Sequence, residues 1–273
     1  MARDKTVPPT PLDELKKNLD SLKLRTMLAA LDDAIEDANT LQAGYVTFLA
    51  NLVAKEILAR SDVSAERRCK AAGFPAIKTF ATFDWAFQKH LNVQLIKDLM
   101  NLHFIQNGRC LLLLGKPGIG KSHLSIAYGV LAATRGYSVR FYKAAKLLTE
   151  LYATLADGST DRFIGKLARI DLLIVDDLRH FTPTRPEYAT LLFDLVEARH
   201  GKGTILSSNL PISAWGDVLG NSPLTAAIVD RLMEGAHVIN VKKGKSYRSE
   251  GPDAPPAEDR PDGLAIEQDD ADE

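Results

Sequence analysis

Eight residues, Gly115-Lys116-Pro117-Gly118-Ile119-Gly120-Lys121-Ser122, have the types and spacing that grip a polyphosphate. Glycines let the backbone close on the ligand so that its N–H groups point at phosphate oxygens, and a helix opening at this point adds a favourable dipole. Lys121 is spaced to reach the β- and γ-phosphates, and Ser122 offers a small hydroxyl to the magnesium ion that neutralises them. The loop follows an apolar run ending at Leu114 and opens a helical pattern, which is the Walker A form. The expected nucleotide-binding stretch is Gly115 to Ser122 together with His123.

A second group of residues agrees with the first. Leu172-Leu173-Ile174-Val175 reads as an apolar strand that ends in Asp176-Asp177, the Walker B form. Asp176 is placed to hold magnesium beside Ser122, and Asp177 to polarise an attacking water as general base. Two exposed turn aspartates are the bland alternative, and the phosphate loop weighs against it. Further along, Ile205-Leu206-Ser207-Ser208-Asn209 ends in polar residues. Asn209 there either orients water or contacts the γ-phosphate as a sensor, or it serves the turn before Pro211.

These side chains need a scaffold. From residue 109 onward, short apolar runs at 110–114, 139–142, 172–175, 204–207 and 238–241 alternate with helical stretches starting near Ser122, Ala144, Pro186 and Leu224. That alternation predicts an α/β core of five parallel strands with helices on both faces. Upstream, Leu12, Leu15, Leu19, Leu22, Met27, Leu28, Leu31 and Ile35, then Tyr45, Phe48, Leu49, Leu52, Val53 and Leu58, recur at helical steps and predict a small all-helical domain. Its Arg60, Arg67, Arg68 and Lys70 either meet nucleic acid or form a solvated face. The domains expected are a disordered leader at 1–11, the helical domain at 12–72, a linker and entry helix at 73–108, the α/β core at 109–248 and an acidic disordered tail at 249–273. The linker aromatics Phe80, Phe83, Trp85 and Phe87 either wall an adenine pocket or pack against the next domain.

Composition sets outer bounds. The 273 residues are 45% hydrophobic and 25% charged, enough to bury a sizeable core. No stretch approaches the roughly 20 apolar residues of a membrane span, and the start leads into prolines, so a cytoplasmic protein is expected. Cys69 and Cys110 lie far apart without metal-ligand spacing, which predicts reduced thiols. The net charge of −1 hides an asymmetry: residues 250–273 hold ten acids against Arg260, leaving 25 acids against 33 Lys and Arg elsewhere, a formal +8. That excess is compatible with a polyanionic partner.

With these residues in hand, the chain resembles the IstB-like helper ATPases of bacterial insertion sequences, relatives of the DnaC replicative helicase loaders within the AAA+ group. The likeness covers residues 12–248, from Phe74-Pro75-Ala76-Ile77-Lys78-Thr79 through both Walker segments and Ser207-Ser208-Asn209-Leu210 to Trp215-Gly216, Asp230-Arg231-Leu232 and Ser246-Tyr247-Arg248. It implies an AAA+ ATPase using ATP and Mg2+ that assembles as a homo-oligomer on duplex DNA and delivers or activates a transposase; a helicase loader is the alternative. The resemblance puts an arginine finger at Arg231, although the residues alone read rather as a surface arginine paired with Asp230 or Glu234. Arg248 is a further candidate for phosphate. Lys143, Lys146, Arg162 and Lys166, around the helix after the second strand, correspond to a channel-facing position in related rings and are candidate DNA-phosphate contacts. Two departures stand out: Gly-Ile-Gly-Lys-Ser replaces the usual Gly-Thr-Gly-Lys-Thr, and Arg179 stands where glycine often follows Asp-Asp-Leu.

Overall fold

The computed structural model describes residues 9–179, 185, 187–219, 223–241 and 246–250. The chain divides into two units, Met1–Arg67 and Arg68–Glu273.

The first unit is helical. Thr10 caps α1 (Pro11–Ser21): its hydroxyl accepts the Asp13 N–H while Asp13 accepts the Thr10 N–H at 2.9 Å, and Pro11 takes a first-turn position that needs no donor. α2 (Arg25–Thr40) begins at Leu24, which supplies no side-chain cap. Glu56, on α3 (Tyr45–Ala72), takes that role from a distance, accepting the Thr26 and Met27 N–H groups at 2.9 and 3.0 Å. Arg60 holds Glu56 in place at 2.7 Å and donates to Lys23 O, so it serves this corner.

Leu19, Met27, Leu31 and Leu52 form the unit's small core, with Leu28, Ile35 and Phe48 against it. The helical periodicity counted more residues than this core admits. Leu12, Leu15, Leu49 and Val53 are exposed, as are Leu22 (67%), Tyr45 (94%) and Leu58 (64%). Apolar spacing marks a helix, whereas burial needs a partner on the same face, and only one side of α3 has one among the described residues.

The second unit carries a five-stranded parallel sheet in the order β2-β3-β4-β1-β5: β1 (Cys110–Gly115), β2 (Val139–Lys143), β3 (Leu172–Leu178), β4 (Gly203–Ser208) and β5 (His237–Val241). Strand side chains alternate between faces. Leu111, Leu113, Ile174, Ile205 and Ile239 point to one core with α4 (Val93–Leu99), α5 (His103–Gln106) and α6 (Lys121–Thr134). Leu112, Leu114, Leu173, Val175 and Leu206 point to the other, under α7 (Ala144–Ala153), α8 (Thr160–Ala168), α9 (Glu187–Ala198), α10 (Trp215–Leu219) and α11 (Pro223–Met233). A short α12 (Tyr247–Glu250) ends the described chain.

The sequence pattern predicted one helix after β2. Two are present, and α8 holds Arg162 and Lys166 while α7 holds Lys146. Buried Arg199 ties the strand starts together, donating to the Leu167, Ile170 and Gly203 carbonyls; burial lowers its guanidinium to about 10. Because β1 lies between β4 and β5, with β3 next to β4, the carboxyl ends of β1, β3 and β4 come together, the usual place for a ligand in such sheets.

Candidate active site

The loop from β1 to α6 is wound by left-handed glycines, Gly115 (φ 142°), Gly118 (φ 83°) and Gly120 (φ 94°). No side chain fits at any of them: a Cβ on Gly115 would stand 2.5 Å from Val241 O, one on Gly118 2.1 Å from Ser246 Oγ, and one on Gly120 2.7 Å from the Phe83 ring. Buried Ile119 pins the loop to the core, Lys116 and Pro117 lie exposed on its lip, and the Tyr247 N–H fastens α12 to Gly118 O at 3.0 Å. The Lys121 ammonium folds over the loop, donating to Gly115 O at 2.6 Å and Lys116 O at 2.8 Å. Together these residues make one wall of a cleft of about 310 Å³, large enough for a nucleotide-sized ligand.

Behind Ser122, at the end of β3, stands Asp176, with no exposed surface. A carboxylate so placed must be satisfied by donors. Ser122 Oγ donates to both of its oxygens at 2.8 and 2.9 Å, Ser207 Oγ to Oδ1 at 2.6 Å, and Lys143 Nζ to Oδ2 at 2.6 Å. The next residue breaks the strand. Register with β4 slips between Val175 and Leu178, and Asp177 takes φ +67°, a conformation Asp tolerates better than most residues. The bulge turns the Asp177 side chain into the cleft, where Arg179 Nε lies 3.4 Å from its Oδ2, and Ser207 Oγ accepts its backbone N–H at 2.9 Å. Asn209, just beyond β4, also lines the cleft, and its buried Oδ1 has no hydrogen-bond partner among the described residues.

The remaining wall comes from the segment before β1. Lys78, Thr82, Phe83, Asp84 and Gln88 face the cleft beside His123 and Tyr247. His123 Nε2 lies 2.9 Å from Thr79 O, its ring meets Phe83 edge-on at 5.1 Å, and burial holds its pKa below the ordinary value. It therefore reads as a neutral imidazole that donates to Thr79 and ties α6 to this segment. Phe83 belongs to the core as well as to the cleft, while Phe80 and Trp85 pack against that core. The packing reading of the linker aromatics therefore fits Phe80, Phe83 and Trp85, and Phe83 in addition lines the cleft.

A glycine cradle at a helix start, an ammonium, and a hydroxyl beside a buried carboxylate suit a magnesium-bound polyphosphate. Among the described residues no cluster of three or more His, Cys, Asp or Glu could hold a metal. An ion held by Ser122 and Asp176 would thus depend on phosphate and water for its other ligands, which is the habit of Mg2+. The family described as IstB-like ATP binding protein matches residues 17–252. The chain belongs to that family. A protein of insertion sequence IS21 from Pseudomonas aeruginosa, designated for ATP binding, is 32% identical over 87% of this chain and 89% of its own length. Its counterpart in IS232 of Bacillus thuringiensis subsp. berliner is 32% identical over 86% of this chain and 94% of its own. In fold, the chain is similar to the replication initiator DnaA bound to AMPPCP and single-stranded DNA (TM-score 0.52, 22% identity, 64% of this chain and 53% of that one). It is equally similar to AMPPCP-bound DnaA from Aquifex aeolicus (TM-score 0.51, 21% identity, 65% and 54%). The α/β unit, a parallel five-stranded sheet with a phosphate loop after its first strand, shares the fold of those DnaA structures and follows a helical part in the chain.

In this IstB-like chain the two Walker segments and Asn209 converge on one cleft, and several other predicted residues do not join them. Arg231, on α11, is absent from the cleft wall and pairs with Glu197 of α9 and, at 3.5 Å, with Glu234. That hydrogen bond holds the Glu197 carboxyl below its ordinary range. The four basic residues grouped for DNA separate: Lys146 pairs with Glu150 at 3.7 Å, Arg162 and Lys166 are exposed on α8, and Lys143 lies at Asp176 in the cleft. Arg68 donates to Ala133 O. The side chain of Arg248, His180 and the acidic tail from residue 251 lie outside the described residues.

Sequence reading missed Ser207, Lys143, Arg179 and Gln88 as cleft residues. Arg179 alone had a usable signal, its place directly after Asp176-Asp177-Leu178.

Proposed function

We propose that this protein is an ATP-dependent transposition helper that assembles on duplex DNA and recruits or activates a transposase, with hydrolysis controlling the assembly. The observation that carries the reading is the Ser122–Asp176–Ser207–Asp177 connection beside the glycine loop, which suits a magnesium nucleotide and a water together. Magnesium, when bound by Ser122 and Asp176, would neutralise phosphate charge. Lys121 and the loop N–H groups bind the phosphates. Asn209 orients a water and Asp177 takes its proton as it attacks the γ-phosphorus; the bond to the β-phosphate oxygen breaks and ADP departs. Arg231 of a neighbouring copy stabilises the charge on the transferred group, which makes assembly a condition for turnover.

The formal +8 outside the tail, with Lys146, Arg162 and Lys166 exposed, supports phosphate-directed binding that is largely independent of base sequence. The insertion-sequence origin of both curated relatives supports transposition over helicase loading. Sedimentation with a duplex DNA tests the reading: ATP should produce a large protein–DNA complex that dissociates as salt rises and as ATP is hydrolysed. A complex equally abundant without nucleotide, or none at low salt, would remove it.

A further inference from the structure

Each Walker B carboxylate has a basic partner inside the cleft, and neither partner belongs to the two Walker segments' expected machinery. Lys143 is the last residue of β2, in register with Asp176 on β3, so the strand pairing itself sets its stem beside that carboxylate. Arg179 leaves β3 just after the bulge and turns back toward Asp177. We propose that Lys143 and Arg179 are γ-phosphate ligands supplied by the same chain, and that they set the preference of the site for triphosphate over diphosphate. The proposal rests on the nucleotide reading of the cleft given above.

The anions and cations differ in freedom. Asp176 is fully buried and fastened by Ser122 and Ser207, and the backbone at Asp177 is fixed by Ser207. The Lys143 and Arg179 side chains are 48% and 61% exposed, so their charged heads can swing on flexible stems while the carboxylates stay. Position then selects the phosphate. The loop amides occupy the wall where a nucleotide's inner phosphates seat, and Lys121 reaches from it to the β- and γ-phosphates. Lys143 and Arg179 stand on the Walker B side, toward which the terminal phosphate must point if Asp177 is to reach a water beside it. Magnesium, when held by Ser122 and Asp176, would neutralise the carboxylate that Lys143 now pairs with, which would leave the ammonium available to a γ-phosphate oxygen. For Arg179 the planar guanidinium suits two phosphate oxygens at once. ADP offers neither head a target.

Equilibrium competition of ATP and ADP against a fluorescent ADP analogue, with the full chain, Mg2+ and no DNA, tests this. Lys143→Met and Arg179→Gln should each lower ATP affinity on the order of tenfold, the usual worth of one charged hydrogen bond, and leave ADP affinity within about twofold. The double variant should lose the preference for ATP, and Lys143→Arg should keep it. An unchanged ATP-to-ADP ratio, or equal losses for both nucleotides, would overturn the proposal and leave the two cations as counter-charges for the carboxylates. Arg179→Gln, altered at an exposed side chain, decides the matter even if Lys143→Met lowers the melting temperature. Failure of the unaltered chain to bind either nucleotide would instead remove the nucleotide reading itself.

Discussion

Ser207 joins the two Walker B aspartates: its hydroxyl donates to Asp176 Oδ1 at 2.6 Å and accepts the backbone N–H of Asp177 at 2.9 Å. One buried serine on β4 thereby fixes a candidate metal ligand and the bulge that aims a candidate base. Removing it leaves part of the buried Asp176 carboxylate, and the half-buried Asp177 N–H, without partners, and a buried group left so typically costs about 1–3 kcal/mol. Ser207→Ala should therefore lower the urea midpoint and raise the Mg2+ concentration needed for nucleotide binding. An unchanged midpoint and Mg2+ requirement would mean that the bridge adds nothing to either.

Arg231 is held away from its own cleft by Glu197 and Glu234. If it acts on a neighbour, Arg231→Ala should bind ATP normally and lose turnover by about 10³ or more, the range found for arginine fingers. A Lys121→Ala subunit, inactive itself but carrying Arg231, should restore part of that turnover when mixed with it on DNA. Full activity of Arg231→Ala alone would make the arginine a surface ion-pair residue.

Glu56 gives the helical unit a pH dependence. Its pKa is lowered chiefly by the Met27 N–H and then by Arg60. A carboxyl depressed in the folded state stabilises it above the unfolded pKa, and that contribution is lost as pH falls through the folded value. Protection of the Thr26 and Met27 amides from exchange should therefore drop as the solution is acidified below the ordinary glutamate range. Glu56→Gln should start lower and vary less. Identical profiles for the two proteins would mean that another group governs this corner.

Much of the site was legible because its parts are contiguous in sequence. A phosphate loop and an Asp-Asp strand end are local patterns, and the apolar runs between residues 110 and 241 marked all five strands because parallel strands are buried on both faces. What escaped depends on strand order. Lys143 meets Asp176 because β2 pairs with β3, and Ser207 meets it because β4 lies on the other side, a neighbourhood that no spacing along the chain encodes. The bulge at Asp177 was invisible for a different reason: the apolar run ends at Val175, whereas the strand continues past the bulge to Leu178. In the helical unit the error ran the other way: Tyr45, Leu49 and Val53 fit the helical period, yet all three are exposed, with no partner among the described residues of the unit.

The central claim is that the cleft binds ATP through Lys121 and hydrolyses it through Asp177. Nucleotide binding and phosphate release, measured side by side on DNA for Lys121→Ala and Asp177→Asn, test it most directly. Lys121→Ala should bind no ATP, whereas Asp177→Asn should bind ATP like the parent and release phosphate at least about a hundredfold more slowly, the lower range for loss of a general base. Parent-like turnover in Asp177→Asn at saturating ATP and DNA, or parent-like ATP affinity in Lys121→Ala, would contradict the account.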